Sequence, residues 1–135
     1  MIHYWMDLMK SIEKGEIYLA NLGDRSSNDI GKIRPVLIFQ NNFLNRMLSE
    51  TQYKDVVVLP LSSKIRENDF SYYIPAQEKL EKESVVLCNA IKMIDASRIL
   101  EDKGVLLKLS QKQILEIENI LYNLLGCTNR ENSLV

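Results

Sequence analysis

Six short apolar segments and a single amphipathic helix at the C-terminal end most constrain how this chain can fold. The predicted strands cover residues 16–22, 34–40, 55–61, 70–75, 84–95 and 105–109. The helix follows them: Ser110 and Gln113 form a capping-box pattern, and Gly126 supplies a stop. Strands without alternating helices indicate an α+β fold built on a small antiparallel sheet or barrel.

The remaining segments are less regular. A helix is predicted over residues 4–14, ending at Gly15, and residues 41–54 are expected to form a connector that allows for a helical turn. Pro60 interrupts an apolar strand and predicts a bulge or a sheet edge. We therefore divide the chain into an N-terminal helical extension (1–14), one domain (15–126) and a polar tail (127–135).

Composition excludes several classes of protein. No apolar run approaches the roughly 18 residues of a membrane span, and the N-terminus lacks the pattern of a secretory signal. Cys88 and Cys127 provide neither a disulfide framework nor zinc-ligand spacing, and Cys88 lies in an apolar segment typical of a core. We expect a cytoplasmic protein that contacts no membrane and carries no cofactor.

Charge is distributed unevenly along the chain. The net charge is −1, yet residues 23–66 carry seven basic and four acidic side chains, a net charge of +3. A local basic face on a mildly acidic protein suits a short contact with nucleic acid. An unevenly charged, solvated surface would give the same pattern.

The residues that can carry chemistry are concentrated in two polar loops. No Walker loop, dinucleotide fingerprint or Cys/His cluster is present, and His3 is the only histidine, which argues against a histidine-centred mechanism. Cleavage of RNA by its own 2′-hydroxyl requires alignment, phosphorane stabilisation and proton transfer, without an enzyme nucleophile or a metal. The loop residues suited to this chemistry are Asp29, Arg34, Ser62, Ser63 and Lys64.

Each of these residues can be given a role on residue type alone. Arg34 would hydrogen-bond the phosphorane, Ser62 would donate a further hydrogen bond, and Asp29 would orient the arginine or accept the 2′-hydroxyl proton. Pro35 restricts Arg34 to an extended backbone. A surface Asp–Arg ion pair and ordinary Ser-Ser turn chemistry would produce the same pattern.

Five segments in the same order resemble the MazF/PemK family of toxin endoribonucleases from bacterial toxin–antitoxin systems. They are residues 15–22, 31–38, 56–62, 82–88 and 91–95. The resemblance implies a CcdB/MazF-like α+β fold, whose small, strongly curved antiparallel sheet is of the SH3-like barrel type. It further implies a homodimer and metal-independent cleavage of single-stranded RNA to 2′,3′-cyclic phosphate and 5′-hydroxyl ends. It also implies inhibition by a cognate MazE-like antitoxin, through which alone operator DNA would be bound.

The resemblance assigns site residues. The family's catalytic arginine falls on Arg34 and its catalytic threonine on Ser62, which keeps the hydroxyl and lacks the methyl group. Asn28, Asp29 and Ile30 stand where the family loop usually reads Ser-Glu-Gln. We expect residues 41–54 to form a mobile lid over the RNA groove. The predicted RNA-binding residues are Arg25, Asn28, Lys32, Gln40, Ser63, Lys64 and Arg66.

Two other functions are compatible with the sequence. The same fold serves non-enzymatic toxins that poison a protein target, as the gyrase-poisoning CcdB toxins do. A silent nucleic-acid-binding partner that only helps to repress its own operon is the third interpretation. Arg34 and Ser62 favour the endoribonuclease.

Overall fold

The computed structural model describes residues 11–23 and 32–128. Its helices are α1 (Asn42–Glu50) and α2 (Gln111–Leu125). Short 3-10 turns cover Cys88–Ala90, Ala96–Arg98 and Glu101–Lys103. The strands are β1 (Glu16–Asn21), β2 (Ile33–Ile38), β3 (Asp55–Ser62), β4 (Ser71–Ile74), β5 (Ser84–Leu87), β6 (Lys92–Asp95) and β7 (Leu107–Lys108).

Within the described ranges these strands form one curled antiparallel sheet in the order β4-β5-β3-β2-β1-β7, with β6 also paired to β3. Side chains alternate between two apolar clusters because successive residues of a strand point to opposite faces. Ile17, Leu37 and Leu59 pack in one cluster with Ile114 and Ile117 of α2. The predicted α+β class, with its curved antiparallel sheet and C-terminal helix, is confirmed.

The second cluster covers the other face of the sheet. Tyr18, Val36 and Val56, which alternate in sequence with residues of the first cluster, pack there with Ile12, and Leu48 of α1 lies against them. Helix α1 thus fills residues 42–50 of the connector, so the helical turn that the sequence allowed there is a helix of nine residues. The helix begins at Asn41, whose Oδ1 accepts a hydrogen bond of 2.8 Å from the Leu44 N–H.

The strand predicted over residues 84–95 is broken into β5 and β6. Leu61 pairs with Val86, and an unbroken strand in this register would place Asn89 opposite Val58. Lys92 lies opposite Val58 instead. The 3-10 turn between the two strands therefore inserts three extra residues. The insertion lies opposite Pro60, which has no N–H to donate to a neighbouring strand. The break therefore lies in the strand opposite Pro60, as a 3-10 turn between β5 and β6, and the prediction of one continuous strand was wrong.

The end of the predicted N-terminal helix is also different. Residues 11–14 are not helical, and the other residues predicted in that helix lie outside the described ranges. The Glu16 N–H donates to the Glu13 carbonyl at 3.1 Å, and the Glu13 N–H donates to Glu16 Oε1 at 2.7 Å. Gly15 lies within this turn and has a φ of +96°, outside the range of a right-handed helix.

The C-terminal helix has the predicted form. Ser110 and Gln113 make both hydrogen bonds of the capping box, and Gly126 ends the helix in the left-handed conformation. Ile114, Ile117 and Leu121 are its buried residues. This helix covers the sheet face away from α1. In the described part of the chain, neither helix is long and apolar enough to cross a membrane.

Candidate active site

The candidate site lies in a fork between β2 and β3. These strands pair from Ile38–Val58 to Val36–Pro60, after which β2 remains paired with β1 while β3 pairs with β5. Opposite residues of antiparallel strands alternate between pairs that are hydrogen-bonded and pairs that are not. Phe39 donates its N–H to the Val57 carbonyl at 3.0 Å, so the next hydrogen-bonded pairs along the two strands are Leu37–Leu59 and Pro35–Leu61. Because Pro35 has no N–H, the ladder loses a bond at this step. The strands part there.

Arg34 and Ser62 lie at the mouth of the fork. Each is two residues beyond the Val36–Pro60 pair, Arg34 on β2 and Ser62 on β3. A cavity of about 550 Å³ opens between the strands, and both side chains line it. Its other lining residues are Leu19, Ile33, Pro35, Leu61, Ser63, Lys64, Lys79, Leu80, Glu81, Lys82, Ser84 and Leu106. The two predicted catalytic residues of the described region are therefore brought together by strand register.

The hydroxyl of Ser62 is oriented by the loop that follows it. Ser62 is half-buried at the end of β3, and its Oγ accepts a hydrogen bond of 3.1 Å from the Lys64 N–H. A hydroxyl has one proton to donate, and this contact uses only acceptor capacity. The Ser62 proton remains available for an oxygen in the cavity.

Arg34 presents its guanidinium at an exposed position of β2. Within residues 11–23 and 32–128, no side chain forms an ion pair with it. Arginine stays protonated at any working pH and offers a planar fork of N–H donors that matches a phosphate. The site thus combines a permanent cation with an oriented hydroxyl.

The structure places the other predicted residues as follows. Ser63 and Lys64 line the cavity and are exposed. Lys32 and Arg66 are exposed on the loops that border the two strands but do not line it. Arg25, Asn28 and Asp29 lie outside the described residues.

Gln40 does not belong to this site. It follows the far end of β2, is only 3% exposed, and donates from Nε2 to Asn45 Oδ1 at 3.1 Å. Asn45 in turn donates to the Gln40 carbonyl at 3.0 Å. This buried amide pair fixes α1 to the sheet, so the prediction that Gln40 binds RNA was wrong.

The predicted lid is likewise absent from this cavity. Helix α1 packs through Leu48 against the cluster that contains Ile12, and no residue of the 41–54 connector lines the Arg34–Ser62 cavity. The connector begins at the opposite end of β2 from Arg34. The expectation of a lid over the chain's own cavity was wrong.

Sequence reasoning missed one wall of the cavity. The turn 77–82, to which the sequence assigned no role, contributes Lys79, Leu80, Glu81 and Lys82 to the lining. The only local signal was Leu80, an apolar residue inside a charged run. The turn also lies in a part of the chain with a net negative charge, whereas the predicted nucleic-acid contact was placed in the net-positive segment 23–66.

Neither cysteine contributes to the site. Cys88 is buried in the cluster beneath α2, and burial raises the pKa of its thiol to about 11. A thiol with this pKa is a weak nucleophile because it is almost entirely protonated near neutral pH. Its predicted role as a core residue is confirmed. Among the described residues, no group of three or more His, Cys, Asp or Glu side chains could hold a metal ion.

The fold and the site together define a small α+β protein whose curled antiparallel sheet opens on a cavity lined by an arginine, lysines and a strand-end hydroxyl. A family model described as "PemK-like, MazF-like toxin of type II toxin-antitoxin system" matches residues 13–125, and the chain belongs to this family. The resemblance read from the sequence is confirmed. The chain is 31% identical over 121 residues to endoribonuclease MazF of Staphylococcus epidermidis, covering 87% of this chain and 94% of that protein.

Solved structures share the fold at lower identity. Toxin MazF-mt6 of Mycobacterium tuberculosis superposes with a TM-score of 0.66 at 20% identity, covering 84% of this chain and 99% of that one. A mycobacterial endoribonuclease in complex with its cognate antitoxin gives 0.67 at 21% identity, covering 88% and 99%. A MazE–MazF structure from Deinococcus radiodurans gives 0.65 at 19% identity, covering 88% and 99%.

Proposed function

We propose that this protein is an endoribonuclease toxin that cleaves single-stranded RNA through attack of the 2′-hydroxyl on the adjacent phosphate. The observation that carries the proposal is the meeting of Arg34 and Ser62 in one cavity. The relative from Staphylococcus epidermidis, which is itself an endoribonuclease MazF, supports it. The products would be a 2′,3′-cyclic phosphate and a 5′-hydroxyl.

The two residues of the cavity fit the requirements of this reaction. The 2′-oxygen forms a bond to phosphorus, the bond to the 5′-oxygen breaks, and one proton leaves the 2′-hydroxyl while another reaches the 5′-oxygen. Negative charge accumulates on the non-bridging oxygens of the phosphorane, where the Arg34 guanidinium would make charge-assisted hydrogen bonds. The Ser62 proton would donate to the same group. Asp29, which lies outside the described residues, remains predicted either to orient Arg34 or to accept the 2′-hydroxyl proton.

The cavity also suits inhibition by an antitoxin. Structures of relatives contain an endoribonuclease with its cognate antitoxin and a MazE–MazF complex. We propose that a MazE-like antitoxin covers the same cavity with a flexible acidic and apolar segment, attracted by Arg34 and Lys64. Binding to operator DNA would occur only through that antitoxin, in the cytoplasm.

We also propose that the protein acts as a homodimer. Ten large hydrophobic side chains are exposed in the described part of the chain, and Phe43 (65%) and Leu125 (62%) are the most exposed of them. A second subunit that covers such side chains would remove apolar surface from water, which favours association. Light scattering coupled to gel filtration tests this point, and a monomer at micromolar concentration would overturn it.

Digestion of one long RNA by the purified protein, in the presence of excess chelator, tests the proposed activity. We expect discrete fragments with 5′-hydroxyl and cyclic phosphate ends, and none with Arg34→Ala. A 5′-phosphate would mean that water, and not the 2′-hydroxyl, attacks. Intact RNA together with inhibition of a protein target would favour the non-enzymatic toxin, and RNA binding without cleavage would favour the silent partner.

A further inference from the structure

The turn 77–82 forms a rigid wall of the cavity. The Gln77 N–H donates to the Leu80 carbonyl at 3.0 Å, and the Leu80 N–H donates back to the Gln77 carbonyl at 2.9 Å. Glu78 between them has a positive φ of 51°, as a tight two-residue turn requires. A third hydrogen bond of 3.1 Å joins the Lys79 N–H to the Leu106 carbonyl. The turn is therefore fixed to the body of the domain.

Packing of Leu80 fixes the turn from below. Leu80 is 3% exposed and belongs to the apolar cluster that contains Ile74 and Leu106. Its neighbours Lys79, Glu81 and Lys82 are exposed and line the cavity. The Nζ of Lys79 lies beside Gly104, where a Cβ would be only 3.5 Å away. Buried and exposed residues thus share the turn, and the exposed ones are charged.

The cavity is electropositive once this wall is included. Its cationic lining residues are Arg34, Lys64, Lys79 and Lys82, and Glu81 is its only carboxylate among the described residues. Neither Lys79 nor Lys82 forms an ion pair with another residue of the described ranges. Lysines that line a cavity without a protein counter-charge suit a polyanion, because they remain able to neutralise its phosphates.

We infer that Lys79 and Lys82 contact backbone phosphates of single-stranded RNA on the side of the cavity facing Arg34 and Ser62. This inference rests on the proposed function and adds two binding residues to it. Lysine is a point charge on a flexible stem, which suits neutralisation of neighbouring phosphates more than the bidentate contact at the reacting phosphate. The two lysines therefore contribute to affinity, and Arg34 to the chemical step.

The experiment measures binding without cleavage. The probe is a short, fluorescein-labelled 2′-fluoro oligoribonucleotide of mixed sequence, which lacks the attacking hydroxyl. Its Kd is measured against salt concentration for the full-length protein and for Lys79→Gln, Lys82→Gln and the double variant. Each single change should lower the slope of log affinity against log salt by about 0.7, as expected for one phosphate contact on a single strand. Lys64→Gln provides a positive comparison.

Other residues of the chain provide controls that should leave RNA binding unchanged or strengthen it. Lys92→Gln on β6 and Lys112→Gln on α2 remove the same charge from residues that do not line the cavity, and the slope should be unchanged. Glu81→Gln should strengthen binding, because it removes the carboxylate from the same turn. All substituted side chains are exposed, and thermal unfolding of each variant checks that it folds.

The outcomes separate this inference from the proposed function. Equal slopes for the Lys79, Lys82, Lys92 and Lys112 variants would overturn the inference, whether or not the protein cleaves RNA. Reduced slopes for the Lys79 and Lys82 variants, with unchanged slopes for the Lys92 and Lys112 variants, would support the inference. This holds even for a protein that binds RNA without cleaving it. In cleavage assays, the double variant should raise KM with little change in kcat, whereas a matching loss in kcat would overturn the division of roles.

Discussion

Arg34 and Ser62 lie at matching positions on neighbouring antiparallel strands, each two residues beyond the last β2–β3 pair, Val36–Pro60. Residues related in this way project from the same side of the pleat. The strands no longer pair at this point, and both side chains line the cavity that opens between them. The geometry needed for phosphate chemistry thus follows from register and from the place where pairing stops.

Replacement of Arg34 tests the proposed stabilisation of the phosphorane. Arg34→Ala should reduce cleavage more than a hundredfold, on the order of 3 kcal/mol for one transition-state donor. Arg34→Lys should recover only part of this loss because a point charge cannot replace a bidentate fork. Single-turnover cleavage rates provide the measurement. Near-normal activity of the alanine variant would remove Arg34 from the mechanism.

Replacement of Ser62 tests the role of the oriented hydroxyl. Ser62→Ala should slow cleavage with a smaller effect on RNA affinity, whereas Ser62→Thr keeps the hydroxyl and should remain active. Ser63→Ala is the matched control, since the hydrogen bond from the Lys64 N–H reaches Ser62. If Ser63→Ala is damaging and Ser62→Ala is silent, the assignment of the catalytic hydroxyl is wrong by one residue.

Two glycines with positive φ provide a matched test of packing beneath β1. At Gly15 a Cβ would lie 2.7 Å from Ile114 Cδ1, whereas at Gly126 no atom lies within 4 Å. Both alanine variants should lose about 1–2 kcal/mol through backbone strain. Gly15→Ala should lose roughly 1–3 kcal/mol more through overpacking. Urea unfolding measures both, and equal losses would show that Ile114 moves aside freely.

The two cysteines should differ sharply in reactivity. Cys127 is exposed, whereas Cys88 is buried with its pKa raised to about 11. A thiol reagent at pH 7.5 should therefore label Cys127 at once and Cys88 only after unfolding, because the thiolate is the reacting form. Mass spectrometry of the labelled peptides gives the assignment. Rapid labelling of Cys88 in the folded protein would show that the cluster beneath α2 opens readily.

Local patterns in the sequence predicted most of the fold. Strand alternation placed the core, and the Ser110–Gln113 capping box with Gly126 gave the boundaries of α2 because these signals act within a few residues. The 84–95 segment was misjudged for the opposite reason. Its apolar residues continue through the break, and only its pairing with β3 on either side of Pro60 requires three extra residues.

In the candidate site, too, residues with a local sequence signal were predicted, and residues placed by contacts distant in sequence were not. Arg34 and Ser62 were identified from loop chemistry and resemblance, and register explains why they meet. Lys79 and Lys82 were missed because their approach to the cavity depends on Leu80 packing among residues distant in sequence. Gln40 was misplaced because its polar side chain satisfies a buried partner, Asn45, that no local pattern reveals.

The absent N–H of Pro35 makes the cavity a property of the backbone. Since the strands already part beyond Val36–Pro60 and hydrogen bonds fix the turn 77–82, the cleft should exist before RNA arrives, and binding need not separate paired strands. It should also survive changes at positions 34 and 62, so loss of cleavage need not abolish binding. A relative without this arginine should therefore still bind RNA or an antitoxin. Such a protein would be inactive, and it would compete with the active enzyme for the same RNA or antitoxin.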